Sequence, residues 1–284
     1  MTLSSRIALI GIPLDDHSSF LKGAAQAPPL IRKAFHSDSS NDWTELGFNL
    51  GTEDVIYDAG DLKFTPTANV FAEIEQTIES LLESSLPVVS LGGDHSITYP
   101  IIKAFRKKYS RLSILHFDAH PDLYDELGGN RFSHASPFAR ICEAGLADRL
   151  VQIGIRALTC HQREQADRFG VEIHEMKDWR GAMDLQFATP VYLSIDMDCL
   201  DPAFAPGVSH HEPGGLSTRE VIQQIHAIQA PIVGADIVEF NPVRDVMDMT
   251  AMTAAKLLKE VAGQILRNAN TTSPPHFTDE LAET

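Results

Sequence analysis

The sequence predicts an α/β protein of three layers, with a mostly parallel central sheet between two layers of helices, in a single domain. Two observations carry this. Short, nearly continuous apolar runs rich in β-branched residues alternate with longer amphipathic runs along the chain, as parallel strands covered on both faces and joined by helices do. The length of 284 residues, 43 % hydrophobic and 22 % charged, suits one large domain with a full core and is unlike a disordered chain.

In chain order, the apolar run at 7–12 predicts a strand followed by a helix at 28–36. A strand at 55–58 precedes a helix at 66–85, whose start is marked by Thr65 and Pro66, a cap followed by proline at the first helical position. Strands at 87–91 and 112–118 are each followed by a helix, at 97–109 and 136–146. Strand 150–154, helix 161–169, strand 171–175 and strand 191–196 come next. The helix at 217–229 opens with Ser217-Thr218-Arg219-Glu220, the spacing of a capping box, behind a Pro213-Gly214-Gly215 turn. Strand 232–239 and helix 250–267 complete the domain, 1–267. From Asn268 onward periodicity is lost, which predicts a flexible C-terminal tail at 268–284.

The 23 Lys and Arg against 39 Asp and Glu give a net charge of −16. That balance argues against a nucleic-acid partner, which calls for a basic face. It suits a cationic small substrate or a metal site rich in carboxylates. Cys142, Cys160 and Cys199 are scattered, with no CxxC pair, so neither a disulfide framework nor a cysteine zinc site is indicated. A reducing compartment follows, and the expected location is cytoplasmic. The run at 7–12 is too short for a secretion signal, and no stretch approaches the ~18 consecutive apolar residues of a membrane span.

In this architecture functional residues sit beyond the carboxyl ends of the strands. After strand 112–118, Phe117-Asp118-Ala119-His120-Pro121-Asp122 places Asp118, His120 and Asp122 at alternating positions, on one side of an extended chain. Burying them together is costly unless a cation neutralises them. Ser194-Ile195-Asp196-Met197-Asp198 repeats the alternation, and Asp201-Pro202 behind it is turn chemistry. In Leu91-Gly92-Gly93-Asp94-His95 the glycines allow a sharp turn and a close backbone approach, which presents His95. No Lys-Ser/Thr follows and the spacing is not GxGxxG, so this is no phosphate cradle.

Each loop alone also reads as a solvated acidic turn, a strand cap or a structural bend. Three on the strand ends of one sheet point to metal. Four carboxylates and two imidazoles exceed one zinc site and suit two Mn²⁺ ions, with Co²⁺ and Ni²⁺ able to use similar ligands. Such ions lower the pKa of bound water.

Gly92-Gly93-Asp94-His95, 118–122 and 194–198 together resemble the three signatures of the ureohydrolase family of arginases, agmatinases and guanidino-acid hydrolases. The stretches 129–136 and 201–217 resemble its plant arginase branch. The resemblance implies an arginase-like fold and a binuclear manganese cluster. Asp118 and Asp196 would bridge the ions, His95 and Asp122 would complete one site, and His120 and Asp198 the other. His134 matches the family's proton-shuttling histidine, and Glu239, in Val238-Glu239-Phe240-Asn241-Pro242, the glutamate that holds the substrate guanidinium. The implied partners are a small cationic guanidino substrate and further copies of the chain, as homo-trimer or homo-hexamer, with no nucleic acid and no membrane.

The implied reaction cleaves a guanidino compound to urea and an amine. L-arginine to L-ornithine comes first, agmatine to putrescine second, and guanidino acids behind. The chemistry agrees. A carboxylate can take the planar, forked guanidinium in two parallel hydrogen bonds. An imidazole titrates in the range needed to protonate the departing amine. Asn130 and Arg131, in the loop between the metal triplet and His134, are candidate contacts for the substrate's far end. An inward Arg131 would pair the α-carboxylate that agmatine lacks. His210 and His211 are placed on a rim loop, and Cys199 reads as a packed small hydrophobe. Two other classes stay open, a binuclear phosphoesterase and a non-catalytic metal-binding protein. The first would want cationic clamps, and the three motifs contain no Arg or Lys.

Overall fold

Among the described residues, eight strands pair in parallel throughout: β1 (Ile7–Ile12), β2 (Ile56–Asp61), β3 (Val88–Gly92), β4 (Ser113–Phe117), β5 (Arg149–Ile155), β6 (Glu172–Glu175), β7 (Val191–Asp196) and β8 (Ile232–Val238). Their order across the sheet is β2-β1-β3-β8-β7-β4-β5-β6. The computed structural model describes residues 7–52, 55–66 and 69–271. β3, β4, β7 and β8 are buried at every position, which accounts for their unbroken apolar character. The edge strands β2 and β6 are partly exposed and carry Asp58, Asp61, Glu172 and Glu175, charges that blunt an open edge.

Successive strand residues point to opposite faces. Leu91, Phe117, Leu193 and Ile237 pack with α1 (Ala27–Phe35), α6 (Thr218–Ala227) and α7 (Met249–Thr271). Val88, Ile114 and Tyr192 pack with α2 (Val70–Glu83), α3 (Thr98–Lys108), α4 (Pro137–Glu143) and α5 (Cys160–Phe169). Three layers result, as expected.

Several boundaries differ from the sequence reading, and two of them have a cause in named side chains. The second helix begins at Val70, capped by Asn69, whose side chain accepts from the amides of Phe71 and Ala72 at 3.0 and 3.3 Å. Thr65 instead donates its backbone N–H to the Glu73 carboxylate, 3.1 Å away, so it lies outside the helix it was expected to cap. The last helix runs on to Thr271, and the expected start of the tail, Asn268, is a buried helical residue. Its amide donates to the Ala230 carbonyl at 2.6 Å and accepts from Gln264 at 3.0 Å. Polar side chains with partners continue a helix that hydrophobic periodicity alone would end. Residues 272–284 of the expected tail lie outside the described residues.

The chain passes from β3 to β4 across the place where β8 and β7 are later inserted. A switch of this kind opens a crevice at the carboxyl ends of the middle strands.

Candidate metal and catalytic site

The four middle strands, β3, β8, β7 and β4, are neighbours, and each delivers one motif. His95 follows β3, Glu239 follows β8, Asp196 ends β7 with Asp198 just beyond, and 118–122 follows β4. The two glycines before His95 serve close approach. A Cβ on Gly93 would stand 1.8 Å from the Leu14 carbonyl oxygen, and one on Gly92 2.6 Å from a Val238 methyl. Asp122 and Glu239 hold positive φ, 49° and 63°. For residues with side chains that is a strained state, and it tends to cluster at functional sites.

The six expected ligands meet. His95 Nδ1 lies 3.3 Å from Asp118 Oδ2, 3.1 Å from Asp122 Oδ2 and 3.2 Å from Asp196 Oδ2. His120 Nδ1 lies 3.1 Å from Asp198 Oδ2 and 3.4 Å from Asp118 Oδ1. Asp118 is thus common to both histidines. All six are buried except His120, which is partly open.

Hydrogen bonds fix the orientation of His95. Ser194 donates its hydroxyl to Asp236 Oδ1 at 2.7 Å, so it accepts from His95 Nε2, 2.9 Å away. The Nδ1 lone pair then faces the three carboxylates. This buried nitrogen has no hydrogen-bond partner, although three carboxylate oxygens surround it. An orphaned imidazole nitrogen among carboxylate oxygens fits a cation held between them.

The electrostatics agree. Burial and the Asp118 charge push Asp122 up to about 6. Burial and the charges of Asp198 and Asp118 raise Asp196 well above the ordinary carboxylate range. Asp118 itself is held well below that range. Burial opposes this, but the neighbouring His116 and the contact with His120 outweigh it. Carboxylates that raise one another in this way lack cationic compensation, and a divalent ion would supply it.

His116 was missed in the sequence, although its place two residues before Asp118 continues the same alternation. Gln152 donates to its Nδ1 at 3.0 Å and to the Pro121 carbonyl at 2.7 Å. Its Nε2–H therefore donates to Asp118 Oδ2 at 2.8 Å. Burial pushes the ring down to about 4, which keeps it neutral at pH 7. Arg156 was also missed. Its guanidinium donates to the carbonyls of Gly154, Asp198, Cys199, Leu200 and Glu212, which ties the turn after β7 to the rim. No local sequence signal marks either Gln152 or Arg156.

Glu239 accepts two hydrogen bonds on Oε1, from the His95 backbone N–H at 2.9 Å and from His134 Nδ1 at 2.8 Å. The other face of His134 meets a further residue that the sequence did not single out, Ser19, whose hydroxyl lies 2.8 Å from Nε2. Asp122, Asp196, Asp198, His120, His134 and Glu239 all face one cavity of about 500 Å³, a size that suits a small molecule.

The expected outer contacts fare differently. Arg131 turns away from the cavity, with its guanidinium held by Asp125 at 2.6 Å and Glu143 at 3.0 Å. Two exposed carboxylates outcompete an inward position. Asn130 is not among the residues that line the cavity; it stands against His17 Nδ1 at 3.2 Å and accepts from the Phe132 amide at 2.9 Å. His210 lines the cavity. His211 turns out toward the Pro206 carbonyl and Arg244. Cys199 is fully buried within the core.

The family model described as the arginase family matches residues 5–263. The chain is 48 % identical to mitochondrial arginase 1 of Arabidopsis thaliana over 275 residues, which are 91 % of this chain and 80 % of that one. It is 33 % identical to an agmatinase of Bacillus cereus, covering 90 % of this chain and 91 % of that one. The structure of an arginase from Medicago truncatula superposes with a TM-score of 0.87 at 44 % identity, covering 92 % of this chain and 88 % of that one. These relatives overturn the expected cytoplasmic location. The Arabidopsis and rice arginases are mitochondrial, and a second Arabidopsis arginase is chloroplastic or mitochondrial. Free thiols report only that a compartment is reducing, so cysteine usage could not separate these addresses.

Proposed function

The chain belongs to the arginase family, hydrolases of C–N bonds in linear amidines, and on that premise we propose that it converts L-arginine to L-ornithine and urea with two Mn²⁺ ions. The observation that carries this reading is the meeting of six ligand-type side chains, four of which line one cavity together with the Glu239–His134 pair. The orphaned Nδ1 of His95 and the crowded carboxylates fit the metal. His95, Asp118, Asp122, Asp196, His120 and Asp198 would together hold the two ions. Bound there, the ions supply Lewis acidity and offset the carboxylate charge.

The chain's own residues do the rest. Glu239, which lines the cavity, orients the planar guanidinium by charge-assisted hydrogen bonds. His134, charged by its contact with Glu239, holds the proton that the departing amine needs. His116 and Ser194 keep Asp118 and His95 in the tautomer and orientation a ligand requires. Arginine is favoured over agmatine because identity to the plant arginases, 48 % in the first named, exceeds the 33 % to the agmatinase. Agmatine stays the second reading on one observation: Arg131 is turned from the cavity, which removes the contact expected for an α-carboxylate. As partners we propose the cationic guanidino substrate and, in a trimer or hexamer, further copies of the chain. The exposed Val243, Val246, Met247 and Met249 offer apolar surface for that assembly.

Steady-state rates on both substrates, for the Mn²⁺-loaded protein and its Arg131→Ala variant, test the assignment. Arginine should give the higher kcat/KM of the two. Arg131→Ala should leave arginine turnover within about twofold, as for a surface charge. Higher kcat/KM on agmatine would replace the assignment with agmatinase.

A further inference from the structure

An imidazole has two ring nitrogens and therefore two routes for a proton. In His134 both are already taken. Nδ1 faces Glu239 Oε1 at 2.8 Å, and Nε2 faces the Ser19 hydroxyl at 2.8 Å. The ring is buried, while Ser19 is exposed and lines the cavity. Glu239 is assigned to the substrate guanidinium, so the Nδ1 side leads to a carboxylate already in use. The Nε2 side leads to the cavity through one hydroxyl.

We propose that Ser19 is a catalytic residue, the last carrier of the proton from His134 to the departing amine. The proposal rests on the guanidino-hydrolase reading above. As the tetrahedral adduct collapses, the C–N bond breaks and its electron pair goes to nitrogen. The Ser19 O–H gives its proton to that nitrogen, and Ser19 Oγ takes the Nε2 proton of the imidazolium in the same step. Ser19 ends as a hydroxyl and His134 as a neutral imidazole with its Nδ1–H on Glu239. Solvent at the cavity mouth then restores the imidazolium. Charge and atoms balance, and no further reactant is needed.

The fold holds Ser19 for this. The preceding loop is anchored to Asp94, the buried neighbour of His95, which accepts from the His17 N–H at 3.0 Å and the Ser18 hydroxyl at 3.3 Å. The His134 N–H in turn donates to the His17 carbonyl at 3.2 Å. Loop and histidine are thus joined through backbone as well as side chain, which fixes the Oγ–Nε2 approach. A serine on a free loop would not keep that geometry.

The test uses the Mn²⁺-loaded chain, with Ser19→Ala and Ser19→Thr, and two readouts. Arginine kinetics should show kcat down about 10- to 100-fold in Ser19→Ala, below the full range of general acid catalysis because water can partly substitute. KM should stay within about twofold, and Ser19→Thr, which keeps a hydroxyl, should recover most of kcat. The second readout needs no activity. Diethylpyrocarbonate labelling of His134, followed by peptide mass analysis, should run several-fold faster in Ser19→Ala, where Nε2 has lost its cap. Unchanged kcat in Ser19→Ala, or unchanged labelling, overturns the relay. A wild-type chain that releases no urea from any guanidino substrate overturns the parent reading, and the relay with it. That result is told apart by the unmutated protein's own inactivity.

Discussion

Glu239 and His134 set each other's state. Burial alone would push the His134 ring down, but the Glu239 charge and hydrogen bond override it and raise the pKa from 6.5 to about 9. A raised histidine contributes stability that is complete below pH 6.5 and lost as pH rises through about 9. The same proton is the one the amine needs. Turnover should therefore hold through neutral pH and fall as pH rises past about 9. Glu239→Gln should move the ring's titration, followed by NMR, back toward 6.5. An unshifted titration in that variant would contradict the pairing. At this scale the sequence was informative where residues share a period. Alternation after β4 and β7 exposed five of the six ligands. It was silent where partners come from far along the chain. Arg131 looked available for substrate because Glu143, twelve residues on, gave no local hint of capturing it. Ser19 and Gln152 gave none either, since each acts through a residue more than thirty positions away.

Among the elements, strands were more legible than helix starts. Every expected strand has a counterpart, because a strand buried on both faces must be apolar almost throughout. Helix starts depend on single polar side chains, and two candidates diverged. Ser217 caps α6 as a full capping box, with its hydroxyl accepting from the Glu220 N–H at 3.2 Å and the Glu220 carboxylate accepting from the Ser217 N–H at 2.8 Å. Trp179 Nε1 also donates to Glu220 at 2.8 Å, so the cap is tied to tertiary structure. Thr65-Pro66 had equal local merit and lost to Asn69. Ser217→Ala should lower unfolding free energy by about 1 kcal/mol, the usual worth of such a cap, in urea denaturation monitored by circular dichroism. Urea release from arginine should be unchanged, because α6 supplies no group to the cavity.

For the whole molecule, the parallel order placed β8 and β7 between β3 and β4, and no local pattern in the sequence specifies that insertion. It gathers motifs separated by more than a hundred residues, His95 and Glu239 among them, at one crevice. The acidic surplus of −16 then has a partial cause. Asp118, Asp122, Asp196 and Asp198 are buried together, and such a cluster is costly without cations. Two divalent ions would cancel all four. The most direct test is urea release from arginine against metal bound per chain, in chelator-stripped protein reconstituted stepwise with Mn²⁺. Activity should be lost on stripping, return with added Mn²⁺ and level off at two ions per chain. Urea release that survives complete stripping, or a chain that binds no Mn²⁺, would contradict the account.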